Sequence, residues 1–153
     1  MSTNEIRKIL LAEDNPQDVE LTLSALAEHN LANEVVTVKD GAEALDYLFC
    51  RNEFKSRSDG DPAVVLLDLK MPKVDGLEVL RTIKQDPNLK TIPVVMLTSS
   101  REESDLVSSY DFGVNAYVVK PVDFQGFVEA VRRIGLFWIM QNEPPPGHLR
   151  HSK

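Results

Sequence analysis

Short apolar runs recur along the chain at Ile9 to Ala12, Val35 to Val38, Ala63 to Leu67, Ile92 to Leu97 and Ala116 to Val119. They are rich in Val, Ile and Leu and do not alternate cleanly with polar residues. A strand with one wet face alternates, whereas a strand buried on both faces reads as a continuous apolar run. The pattern therefore predicts five strands, most of them covered on both sides.

Between these runs the apolar positions fall at helical spacing, and the segments open with recognisable start signals. Asn15-Pro16 places a capping residue before a proline at the first helical position, ahead of Leu21, Leu23, Ala25 and Leu26. Asp40 and Glu43 form a capping-box pattern before Ala44, Leu45 and Leu48. Asp75 precedes the stripe Leu77, Val79, Leu80 and Ile83, and Ser100 with Glu103 makes a second box before Leu106, Val107 and Tyr110. Gly113 suits a C-terminal cap. Asp123 opens a last helix that runs to about Met140. Five strands alternating with five helices predict an α/β fold, a doubly wound (βα)5 arrangement around a parallel sheet. Residues 51–62 read as a long, polar, exposed connection, and residues 142–153 as a proline-rich, mobile tail.

With 153 residues the chain is long enough for one domain with a substantial core. Its 24 acidic against 17 basic residues give a net charge of -7, which argues against binding nucleic acid or an anionic membrane. The single cysteine, Cys50, allows no intramolecular disulfide and reads as a small apolar residue on a helix. The N-terminus lacks an apolar signal core, and no apolar stretch approaches the ~20 residues that span a bilayer. The expectation is a cytoplasmic protein.

In open parallel sheets, ligands bind beyond the carboxyl ends of the strands, so the residues at those exits matter most. Strand one ends at Glu13 and Asp14, strand three at Asp68, strand four at Thr98 and strand five at Lys120. Each has an ordinary explanation alone: a surface acid, a helix cap, a turn, a β-favouring residue, a solvated charge. Together they set three carboxylates, a hydroxyl and an ammonium on one rim. Crowded carboxylates repel unless a cation sits among them, and an oxygen-only donor set suits a hard ion such as Mg²⁺. An ionised Asp beside such an ion can accept a phosphoryl group. Asp68, which leaves the central strand into "LKMPKVDG", is the nucleophile this placement favours.

These same stretches resemble the receiver domain of two-component response regulators. "LLAEDN" is similar to that family's acidic pair, "VVLLDLKMPKVDGLEVL" to its phospho-acceptor strand and loop, "IPVVMLTSS" to its hydroxyl-bearing strand, and "GVNAYVVKP" to its aromatic and Lys-Pro element. The match runs from residue 6 to about 134. It implies a flavodoxin-like sheet of order 2-1-3-4-5, with Asp68 as the phosphorylated residue. Asp14, Asp68 and the Lys70 backbone carbonyl would hold Mg²⁺, and Glu13 would act through a metal-bound water. Thr98 would be the switch hydroxyl, Lys120 the phosphate-pairing lysine and Tyr117 the switch aromatic. The Lys120–Pro121 peptide would be cis. A sensor histidine kinase would donate the phosphoryl group, and the face made by helix four, strand five and helix five would change in response.

The connection before strand three is longer than in compact receivers. No output domain fits after Pro121, so residues 1–141 are expected to act as a stand-alone receiver. The long connection, "SYDFGVNAYVVKP" and the ending "GLFWIM" resemble the single-domain regulators paired with bacterial and cyanobacterial phytochrome kinases. Leu136 to Met140 are five successive apolar residues, more than one helix stripe buries. Either the tail folds over the surplus or a second chain covers it. A homodimer through Phe137, Trp138 and Met140 is the expectation. A relay role passing phosphate to a histidine phosphotransfer protein remains an alternative. So does a Mg²⁺-dependent aspartyl-phosphate phosphohydrolase, although Lys70 stands where such enzymes carry a second, acid/base Asp. A third alternative, an interaction module that has lost the switch, sits poorly with the presence of all five key residues.

Overall fold

The computed structural model describes residues 8–27, 35–58, 60–99 and 102–120, with isolated positions at 125, 126, 129 and 133. The elements run β1 (Ile9–Ala12), α1 (Pro16–Ala27), β2 (Val35–Val38), α2 (Gly41–Phe49), β3 (Val64–Leu67), α3 (Gly76–Gln85), β4 (Val94–Thr98), α4 (Glu103–Asp111) and β5 (Ala116–Val119). A short 3-10 turn at Asn52–Phe54 follows α2. All strand pairs are parallel, in the order β2-β1-β3-β4-β5.

The missing alternation has a direct cause. Every residue of β1, β3 and β4 is buried. Successive side chains point to opposite faces, and both faces are covered. Leu10, Ala12, Val65, Leu67, Val94 and Met96 pack with Leu45 and Leu48 of α2 and with Val79, Leu80 and Ile83 of α3. Ile9, Leu11, Val64, Leu66, Val95 and Leu97 form the opposite core with Ala25 and Leu26 of α1. The edge strands β2 and β5 are only partly buried. Among the described residues, no helix is long and apolar enough to cross a membrane.

Most of the helix starts form as the sequence predicts. The Asn15 side chain accepts from the N–H groups of Gln17 and Asp18, at 2.9 and 3.2 Å. Asp40 accepts from Glu43 N–H, while the Glu43 carboxylate reaches back to Lys39 N–H, one residue beyond the usual box partner. Asp75 accepts from Glu78 N–H. Gly113, with φ of 97°, follows the end of α4 in a conformation that favours glycine.

Several expectations are corrected. The fourth strand begins at Val94 rather than Ile92, because Pro93 has no N–H for the ladder. Helix α4 has Glu102, rather than Ser100, at its N-cap, with no side-chain cap bond. Ser100 itself lies outside the described residues. The large apolar positions of α4 face solvent: Leu106, Val107 and Tyr110 are 39, 51 and 53% exposed, while Ser109 is fully buried. The Val114 N–H donates to the Ser109 carbonyl in the turn that follows the helix. Cys50 is exposed at the C-cap of α2, in a left-handed conformation, rather than within the helix.

The polar connection after α2 is largely exposed over residues 51–58, as expected, and it carries contacts of its own. Phe54 packs edge-on against Tyr47, with ring centroids 5.2 Å apart. The Arg57 guanidinium lies 4.0 Å from the Tyr47 ring centroid and donates to the carbonyls of Tyr47 and Gly60. The predicted fifth helix is helical at its isolated described positions, where Arg133 approaches Glu129 at 3.7 Å. The rest of that helix, Pro121, Phe137, Trp138, Met140 and the 142–153 tail lie outside the described residues.

Candidate functional site

The strand exits converge on an open cavity of about 920 Å³. Glu13, Asp14, Asp68, Lys70, Thr98 and Lys120 all line it, so six of the residues singled out from the sequence share one site. Tyr117 does not line it. It sits on β5 opposite Met96, half-buried against the core on the α2 and α3 side.

What fixes these side chains is the sheet itself. Glu13 is the first residue past β1, and its N–H still donates to Val38 of β2. Asp68 is the first past β3 and donates to Ala12 of β1, and Lys120 is the first past β5 and donates to Thr98 of β4, at 2.8 Å. Glu13, Asp68 and Lys120 therefore each hang from a backbone position held by one further ladder bond. Gly76 tightens the arrangement: its N–H donates to the Leu69 carbonyl at 2.7 Å. A Cβ there would stand 2.2 Å from the Asp68 carbonyl oxygen. Only glycine lets the start of α3 press against the Asp68 backbone.

Carboxylate oxygens of Glu13, Asp14 and Asp68 lie within 4.8 Å of one another. Lys120 Nζ donates to Glu13 Oε1 at 2.6 Å and stands 3.8 Å from Asp68 Oδ2. Burial raises the Glu13 carboxyl to about 7; the Lys120 hydrogen bond opposes the rise and neighbouring Asp68 adds to it. For Lys120, burial opposes the charge, but the hydrogen bonds to Glu13 and Asp18 and the nearby carboxylates outweigh it and hold its pKa above the ordinary value. The cluster thus carries more negative charge than one ammonium balances. Three carboxylates with no nitrogen or sulfur donor fit a hard divalent cation.

Asp18 is the residue the sequence reading missed. It lies in the first turn of α1, and its carboxylate accepts from Lys120 Nζ at 2.9 Å. An acid in a helix's first turn already has a local explanation in the helix dipole, so nothing in the pattern pointed to a partner 102 positions away. Glu102, at the N-cap of α4, also lines the cavity unannounced.

The sequence profile of the response regulator receiver domain matches residues 9–132. The chain belongs to this receiver-domain family. It is 38% identical over 137 residues to the response regulator Rcp1 of Synechocystis, covering 90% of this chain and 92% of that protein. The phosphorylated cyanobacterial phytochrome response regulator RcpA superposes with a TM-score of 0.85 at 44% identity, over 92% of this chain and 99% of that one. The bacteriophytochrome response regulator AtBRR is 63% identical, with a TM-score of 0.74 over 91% and 99% of the two chains. Rcp1 has also been solved in a Mn²⁺-bound form, whose fold matches this receiver with a TM-score of 0.83 at 37% identity, over 91% of this chain and 99% of that one. The receiver is a signalling component rather than a conventional enzyme, and the flavodoxin-like order expected from the resemblance is the order observed.

Proposed function

We propose that Asp68 accepts a phosphoryl group from a phosphohistidine of a sensor histidine kinase, of the phytochrome type. The observation that carries this reading is the meeting of Asp68, Lys120 and Thr98 with two further carboxylates at one rigid rim. An Asp68 carboxylate oxygen attacks phosphorus; the P–N bond of the phosphohistidine breaks as the P–O bond forms, and the imidazole leaves and takes up a proton. Lys120, 3.8 Å from Asp68 Oδ2, is placed to neutralise charge on the transferred group. Glu13, Asp14, Asp68 and the Lys70 carbonyl would hold Mg²⁺, which when bound compensates the phosphoryl oxygens' charge. The Thr98 hydroxyl then draws toward the phosphoryl group, and Tyr117 shifts inward from β5.

That movement changes the surface of α4 and β5, where Leu106, Val107, Tyr110 and Phe112 are exposed beside an edge strand. Four large apolar side chains on that side support pairing of two receivers there, with the aromatic end near Phe137, Trp138 and Met140 contributing. The test is transfer from an autophosphorylated phytochrome kinase. Label should move to this chain and be lost with Asp68→Asn. Label retained on the kinase, or transferred equally to Asp68→Asn, contradicts the reading.

A further inference from the structure

Lys120 is held more strongly by two carboxylates than by the one it is expected to serve. Its Nζ lies 2.6 Å from Glu13 Oε1 and 2.9 Å from Asp18 Oδ2, but 3.8 Å from Asp68 Oδ2, beyond hydrogen-bond reach. Lys120 is well buried, with 8% of its side chain exposed, so these contacts are not screened like a surface pair. Asp18 is itself fixed at both ends of its peptide. Its N–H donates to the Asn15 cap, and its carbonyl accepts from the hydroxyl of the buried Thr22 at 2.8 Å. The carboxylate therefore projects from a rigid first turn and cannot follow the lysine far.

We infer that Asp18 is a positioning residue that holds the Lys120 ammonium back from Asp68 and so favours the unphosphorylated state. This rests on the phospho-acceptor reading above. A phosphoryl group on Asp68 brings additional negative charge to the acceptor side of the ammonium. To bond it, Nζ must leave the position that Asp18 enforces. Glu13 lies at the strand exit beside the acceptor and can keep its bond through that shift, whereas Asp18, on the helix, is the partner the shift stretches. Asp18 competes with the phosphoryl group for one cation. Its strength should then set how readily the phosphorylated form is reached.

Beryllofluoride, a phosphoryl mimic that adds to an aspartate carboxylate, tests this at equilibrium by calorimetric titration with Mg²⁺. Asp18→Asn should tighten its binding about twofold to fivefold, the range an ion pair with one partly exposed partner can supply, and Asp18→Glu should return it toward wild type. The gain must vanish in a Lys120→Gln background, because Asp18 acts through the lysine. Metal-free acylation gives an independent readout: Lys120 should react faster with acetic anhydride in Asp18→Asn than in wild type, relative to the other lysines. Unchanged or weaker beryllofluoride binding in Asp18→Asn overturns the inference. So does an equal gain with and without Lys120, which would make Asp18 a simple repelling charge. Unchanged Lys120 acylation overturns it as well. Failure of the wild-type chain to bind beryllofluoride overturns the phospho-acceptor reading, and this inference with it.

Discussion

The two sides of the sheet are built to different tolerances. At β1 and β3 every side chain is buried, and the residues just beyond them, Glu13 and Asp68, remain tied by ladder bonds to the neighbouring strand. At β5 every residue is only partly buried, and the adjacent α4 turns its large apolar side chains to solvent. The proposed phosphoryl chemistry sits on the rigid side, and the surface proposed to report it lies on the loosely packed side. Lys120 joins them, since it leaves β5 but is held by Glu13 and by Asp18 of α1. A charge change at the rim can therefore reach the softer side through one side chain.

The contrast in packing should be plain in stability. Leu66 in β3 is fully buried, and Leu66→Ala should cost about 3–4 kcal/mol from lost burial and the cavity left behind. Urea unfolding would measure it, and a loss below about 1 kcal/mol would mean that β3 is not the tightly packed centre of the sheet.

The acidic rim should show a smaller, pH-dependent effect. Glu13 is raised to about 7 from an ordinary value of 4.5, so the folded chain binds the proton more tightly than the unfolded chain does. The stability associated with its protonated form is fully present below 4.5 and is lost as pH rises through about 7. Relative to Glu13→Gln, the metal-free chain should lose roughly 2 kcal/mol between pH 5 and 8. Millimolar Mg²⁺ should recover much of that loss at pH 8 and little at pH 5. Urea melts of both chains at the two pH values, with and without Mg²⁺, check the sign. A parallel pH dependence of the two chains contradicts it.

The smallest effect belongs to α4. Val107 is 51% exposed, and Val107→Ser should change monomer stability by no more than about 0.5 kcal/mol. The same substitution should weaken self-association in sedimentation, which would sharpen the contrast between a packed half and a docking half. A large loss of stability would mean that α4 packs more tightly than its exposure indicates.

What was legible in the sequence divides along the same line. Strands covered on both faces announce themselves as unbroken Val, Ile and Leu runs, and their exits locate Glu13, Asp14, Asp68, Thr98 and Lys120 without further help. The apolar stripe of α4 predicts a helix, yet periodicity alone cannot say which way the stripe faces, and tertiary packing turned Ser109 inward instead. Arg57 binds a backbone carbonyl and the face of an aromatic ring, contacts that leave no pattern in a polar stretch. Asp18 escaped notice because a satisfactory local reason for an acid already existed at that position.

The most direct test of the central claim is the intact mass of the chain after incubation with acetyl phosphate and Mg²⁺. The chain should gain one phosphoryl group, and the gain should be absent with Asp68→Asn and when EDTA removes the metal. No gain in the folded wild-type chain, or a gain that survives Asp68→Asn, would contradict the assignment of this rim as a phosphoryl-accepting site.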